Sequence, residues 1–216
     1  MGDITLRALE TLKTVDLVLA EDTRVVHKLL ERYEIKVAVD SYHHHSTGKK
    51  IKDILEKLHQ GMNIAVVTDA GTPGISDPGN LLVAEVIKYA PGTRIVPIPG
   101  ASAVVAILSV SGFPADRFTF LGFPPHKNKR EKYFEYVASL DHTVVFYESG
   151  HRIMKCLGEL QKHLPGSRPV IIGKELTKQF ETIYRSLAKD LDKLNVNEKG
   201  EFVVVINGNV WNKNTI

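Results

Sequence analysis

The chain has a single cysteine, Cys156, among its 216 residues. One thiol excludes an internal disulfide and a cysteine-rich zinc site, so nothing here demands an oxidising compartment, and Cys156 is read as a packing residue. Net charge is scarce too: 28 Lys plus Arg against 25 Asp plus Glu leave a formal +3. Overall charge therefore carries no argument for a polyanionic partner, and any surface that grips one must be local. No apolar run approaches the length of a bilayer span, and the start, Met1-Gly2-Asp3, enters an amphipathic pattern rather than a signal peptide. No membrane association and a cytoplasmic location are the expectations that follow. Internal repeats and low-complexity tracts are absent as well. What is present is a hydrophobic content of 43%, enough for one large core or two small ones.

Periodicity supplies the organisation. Apolar spacing predicts helices over Ile4–Thr14, Thr23–Tyr33, Lys49–Gln60, Asn80–Tyr89 and Ala101–Ser111. Short apolar runs between them, Asp16–Ala20, Val37–Val39, Asn63–Thr68 and Arg94–Ile98, read as strands. Regular alternation of this kind implies a parallel sheet. After Gly112-Phe113-Pro114 the texture changes. Strands are expected at Phe118–Phe123, Thr143–Tyr147, Pro169–Gly173, Glu181–Tyr184 and Glu201–Ile206, with helices at Lys127–Leu140, Arg152–His163 and Leu187–Leu194. Strand next to strand implies a mixed sheet. The expected architecture is two α/β domains, residues 1–112 with a parallel sheet and 113–216 with a mixed one, and a ligand cleft between them. Open α/β sheets bind beyond the carboxyl ends of their strands, so the loops after Ala20, Thr68, Ile98 and Tyr147 are the places to search.

The loop after Thr68 is the most informative. Thr68-Asp69-Ala70-Gly71-Thr72-Pro73-Gly74-Ile75-Ser76-Asp77-Pro78-Gly79 joins a strand to a helix. Its glycines allow close backbone approach, its prolines stiffen it, and Asp77 is placed to cap the next helix. Taken alone it is also compatible with an elaborate turn. It lacks the Gly-Lys-Ser/Thr ending of a triphosphate loop and the G-x-G-x-x-G of a dinucleotide fold.

In its residue order the loop resembles the G-x-P loop of the tetrapyrrole methylases. Further segments resemble one branch of that class, the 16S rRNA (cytidine-2′-O)-methyltransferase family. They are Ala20-Glu21-Asp22-Thr23-Arg24, Pro97-Ile98-Pro99-Gly100-Ala101-Ser102-Ala103, Phe120-Leu121-Gly122-Phe123-Pro124-Pro125, Phe146-Tyr147-Glu148-Ser149, and Lys174-Glu175-Leu176-Thr177-Lys178 with Phe180-Glu181-Thr182. The resemblance covers essentially the whole chain. It implies a folded S-adenosylmethionine in the cleft, 16S rRNA within the small ribosomal subunit as substrate, and a homodimer. By position, cofactor contacts carry over to Ala70, Gly71, Thr72, Ile75, Ser102 and Ala103, with Glu148 beside the methionine part and residues near Arg185–Leu187 facing the adenine. Two departures stand out: such relatives open with a further strand and a glycine-containing loop where this sequence begins at Met1, and they carry an acidic residue near His44. A small-molecule or tetrapyrrole acceptor, and a non-catalytic cofactor- or RNA-binding remnant, are the alternative readings.

A ribose hydroxyl is a weak acid, so its methylation calls for a base or a cation beside the developing alkoxide. Glu21, Asp22 and Arg24 at one strand end and Lys174 at another are the catalytic candidates, with Glu175 beside Lys174. The plainer role for Glu21 and Asp22 is to cap the helix beginning at Thr23. His43-His44-His45 lacks a Cys or acidic cluster that would complete a metal site, and no metal is expected. His126-Lys127-Asn128-Lys129-Arg130 with Lys132 is the candidate RNA-phosphate grip, against the alternative of a solvated helix start.

Overall fold

Strand β1 (Leu17–Ala20) is apolar at every position and buried on both faces, as the central strand of a parallel sheet must be. It pairs in parallel with β2 (Ala38–Ser41) on one side and β3 (Ile64–Val67) on the other, so that Ala20 is level with Ser41 and Val67. These elements belong to a computed structural model that describes residues 2–43 and 48–208; His44 and His45 lie outside the described residues. Side-chain alternation along β1 divides the core of this unit. Leu17 and Leu19 pack against α3 (Gly48–His59) and α4 (Asn80–Tyr89) through Ile51, Ile54, Leu55, Leu82 and Val86. Val18 and Ala20 pack against α1 (Leu6–Thr14) and α2 (Thr23–Arg32) through Leu12, Val26 and Leu30. The result is a three-layer α/β unit whose strands all end at one edge.

Arg94–Ile98, expected as a strand, forms none, and Ile95 and Val96 stand 46% and 49% exposed. A β-strand exists through the ladder bonds of its neighbours, and among the described residues β3 has a partner only on its β1 side. The apolar run is therefore present without the sheet position that would order it.

The second unit is built on a five-stranded mixed sheet in the order β4-β5-β8-β6-β7. Its strands are β4 (Phe118–Phe120), β5 (Thr143–Ser149), β6 (Pro169–Lys174), β7 (Thr182–Leu187) and β8 (Glu201–Ile206). Only β4 and β5 run parallel. On one face Val144, Phe146, Val170, Ile172, Val204 and Ile206 pack against α6 (Arg130–Ser139), α7 (Gly150–His163) and the 3-10 turn Ala188–Lys193. On the other face Val145, Ile171, Val203 and Val205 meet Val104, Ile107 and Leu108 of α5 (Ala103–Ser109). The parallel N-terminal sheet and mixed C-terminal sheet agree with the sequence reading. The chain divides between Ser102 and Ala103, earlier than the change of texture after Gly112, because α5 buries its apolar face on the second sheet. The guanidinium of Arg168, also buried, donates to the carbonyls of Asn207, Ala138 and Leu140 at 2.7, 2.8 and 2.8 Å and so ties the ends of α6 and β8 together.

Candidate functional site

Parallel strands in register deliver their following loops to the same edge. Ala20 and Val67 are paired, so the residues just past them, Glu21 and Thr68, become neighbours, and the Thr68 hydroxyl donates to Glu21 Oε2 at 3.0 Å. Asp22 is the N-cap of α2 and accepts from the Arg24 amide at 2.9 Å. The same carboxylate accepts from Arg24 Nε at 3.0 Å and forms an ion pair with Nη2 at 2.5 Å. This hydrogen bonding pulls the Asp22 pKa down to about 2, so the group is a fixed anion and a poor proton acceptor. The helix-capping role is realised in the structure. Arg24 keeps a largely solvent-exposed side chain.

Asp69, which the sequence reading passed over, belongs to the same cluster. Its pKa is raised, first by partial desolvation and then by the negative charges of Glu21 and Asp22, while the Asp22 backbone amide and Arg24 oppose the rise. Two adjacent carboxyl groups thus sit on opposite sides of the ordinary aspartate value. Its signal was available: Asp69 stands just beyond β3 as Glu21 and Asp22 stand just beyond β1.

The loop that follows doubles back on itself. Gly79 caps α4 at φ +141°, and a Cβ there would lie 3.3 Å from the Gly74 nitrogen. The N-cap position of the helix that begins at Asn80 is Gly79 itself, which has no side chain with which to cap it. A Cβ on Gly71 would lie 4.0 Å from the Ala101 carbonyl oxygen, so Gly71 stands beside the segment that runs into Ser102. Ile75 is 55% exposed. The loop contains no lysine or arginine. The stretch from Ala70 to Ile75 is neutral, carries one exposed aliphatic side chain and gives a triphosphate no countercharge.

Glu148 and Lys174 lie in the second unit, level with Phe202 on neighbouring strands. Glu148, expected beside the methionine part, is fully buried, and both of its oxygens are taken: Oε1 by Arg152 at 2.8 Å and Oε2 by Arg130 at 3.1 Å. Arg130 also pairs with Glu159 at 2.8 Å. For Arg130 this is a correction, since a guanidinium 3% exposed and held by two carboxylates is not offered to an RNA phosphate. Lys174 is 5% exposed. Glu175 is held below the usual glutamate range in spite of its desolvation, because the Glu201 amide and Lys178 bond its carboxylate.

Residues 1–192 match the family described as Tetrapyrrole (Corrin/Porphyrin) Methylases. The chain is 44% identical over 96% of its length to "Ribosomal RNA small subunit methyltransferase I" of Synechocystis sp., covering 75% of that protein. It is 41% identical over 96% of its length to the protein of that name from Leptospira biflexa, covering 86% of it. Among solved structures it is similar to the methyltransferase CobJ, with a TM-score of 0.70, 18% identity and coverage of 96% of this chain and 89% of that one. Uroporphyrin-III-C-methyltransferase from Thermus thermophilus gives a TM-score of 0.66 at 18% identity, covering 95% and 88%. At that identity these two structures speak to fold alone.

Proposed function

The chain belongs to the tetrapyrrole methylase family, and from that premise we propose that it is a methyltransferase acting on RNA of the small ribosomal subunit. The observation that carries the reading is identity of 44% across 96% of the chain to a relative of that name. The finer reading takes S-adenosylmethionine as donor and the ribose 2′-hydroxyl of a 16S rRNA cytidine as acceptor. It is supported by the segments at Glu21–Arg24 and Phe146–Ser149 and by the loop around Gly71, which has no lysine or arginine.

When bound, S-adenosylmethionine supplies a methyl carbon made electrophilic by its sulfonium. The chain's own part is to hold the donor, place the hydroxyl and take its proton. Ala70, Gly71, Thr72 and Ile75, with Ser102, are the residues of the first unit to which this reading gives the holding of the donor. Asp69 receives the hydroxyl proton, since a carboxylate with a raised pKa is the better base of the cluster. Glu21, fixed by Thr68, and Asp22, fixed by Arg24, keep the cluster anionic, and the Arg24 guanidinium is free on its outer side to meet an RNA phosphate.

Transfer of label from S-adenosylmethionine to 16S rRNA in small subunits, with the product mapped as a ribose whose 3′ bond resists alkali, tests the reading. Asp69→Asn is expected to lower kcat by about two orders of magnitude with little change in donor affinity. Wild-type kcat is expected to fall as pH drops through the raised pKa of Asp69. No transfer to any small-subunit RNA would sink the function, and full activity of the Asp69→Asn enzyme would remove Asp69 from it.

A further inference from the structure

The buried charges around Glu148 have a visible load. Past β4 the chain keeps pairing with β5, with Leu121 N donating to Val145 O at 2.9 Å and Tyr147 N to Gly122 O at 2.8 Å, and then it turns outward. Arg130, held by Glu148 and Glu159, donates through Nη1 to the Pro125 carbonyl at 3.0 Å. Arg152, held by Glu148 and bonded to Ser149 Oγ, donates to the Pro124 carbonyl at 3.4 Å. Two consecutive carbonyls of one loop are thus pinned from beneath by guanidinium groups that share one buried carboxylate. Prolines at both positions stiffen it further.

What the pinned loop presents is an aromatic ring followed by positive charge. Phe123 is 49% exposed, its ring 5.4 Å from that of Tyr147 and tilted by 55°, and Tyr147 in turn meets Phe120 edge-on at 4.9 Å. An apolar ring left half in water on a rigid loop is an unfilled stacking surface. His126, Lys127, Asn128, Lys129 and Lys132 follow it, all exposed, and none of these three lysines has a carboxylate partner among the described residues. A flat apolar face beside uncompensated cations is complementary to an unpaired nucleotide, whose base offers a π-face and whose backbone offers phosphates. A paired base keeps both faces inside its stack. Because the loop is already ordered, little entropy is lost on binding.

We propose that the Phe123 loop is a recognition element for single-stranded RNA, in which Phe123 stacks on an unpaired base and Lys127, Lys129 and Lys132 hold the flanking phosphates. The identity of this RNA as the methyl acceptor rests on the function proposed above; the loop's preference for unpaired RNA does not. Phe123→Trp, made together with Trp211→Phe to remove the other tryptophan, places a reporter at the stacking position. Its emission is expected to be quenched by an unstructured RNA oligonucleotide and left unchanged by the same strand annealed into a duplex. Phe123→Ala, a change at an exposed position, is expected to weaken binding of that oligonucleotide roughly tenfold and to leave S-adenosylmethionine affinity as it was. Equal quenching by duplex, undiminished binding by Phe123→Ala, or a change in emission that follows protein concentration without RNA would overturn the proposal. Methyl transfer by the wild type with no quenching would overturn it too. Quenching without methyl transfer would uphold the loop and remove the methyltransferase reading instead.

Discussion

Asp22 shows how little a residue's type says about its task until its partners are known. Arg24 supplies a side-chain bond, a backbone bond and a positive charge to one carboxylate, and together they hold its pKa at about 2 against an ordinary 3.8. The sign for stability follows from linkage. A carboxyl group whose folded pKa is depressed stabilises the fold above the unfolded value and loses that contribution as pH falls from about 3.8 to about 2. The wild-type chain is therefore expected to lose thermal stability across that window more steeply than Asp22→Asn, which has no such proton to take up. Melting temperatures of the two proteins at a series of pH values check it, and parallel curves would show that the Asp22–Arg24 pair contributes nothing. Asp69 moves the other way because it is partly desolvated among like charges. Environment therefore gives one carboxylate to the helix cap and sets the two on opposite sides of the ordinary aspartate value.

At the level of elements, loops carry the chemistry and sheet register decides which loops meet. Register also explains Arg94–Ile98, where an apolar run typical of a strand has no neighbour to pair with among the described residues. The start of α7 shows the reverse, an element that admits only one residue. A Cβ on Gly150 would stand 1.8 Å from the Glu198 carbonyl oxygen, so the segment before β8 lies directly against the helix N-terminus. Backbone cannot yield there as a flexible side chain would. Gly150→Ala is expected to cost about 2 kcal/mol or more, the scale of overpacking in a dense interior, and to lower the denaturant midpoint. A midpoint equal to that of the wild type would show that the Glu198 segment moves aside freely. The glycine is legible in sequence only as a helix former's exception; the reason for it comes from a segment nearly fifty residues away.

For the whole molecule, a formal charge of +3 spread over 216 residues predicts weak non-specific attraction to RNA, so binding has to come from local groups. Lys127, Lys129 and Lys132 are the groups proposed for this in the second unit, and Arg130 is removed from the set by its burial against Glu148 and Glu159. Each phosphate neutralised on a single strand contributes about 0.7 to the slope of log affinity against log salt. Changing the three lysines to alanine is therefore expected to reduce that slope by about 2. Changing Arg130 instead is expected to damage folding. A slope that survives the triple change would place the phosphate contacts elsewhere.

Local pattern was enough for most elements, because helix and strand periods are written into the apolar spacing: α4 lies at the predicted Asn80–Tyr89, and β1, β5 and β8 lie within a residue or two of their predicted runs. The strand-end loops were legible for the same reason, since each follows an apolar run and carries glycine, proline or acidic residues. Partnership was not legible. Which groups Glu148 pairs with, whether Arg130 grips RNA or anchors a loop, and whether Arg94–Ile98 becomes a strand all depend on groups distant in sequence. Those choices belong to the tertiary structure, because the energy of a buried charge or an unpaired strand is set by what folding brings beside it.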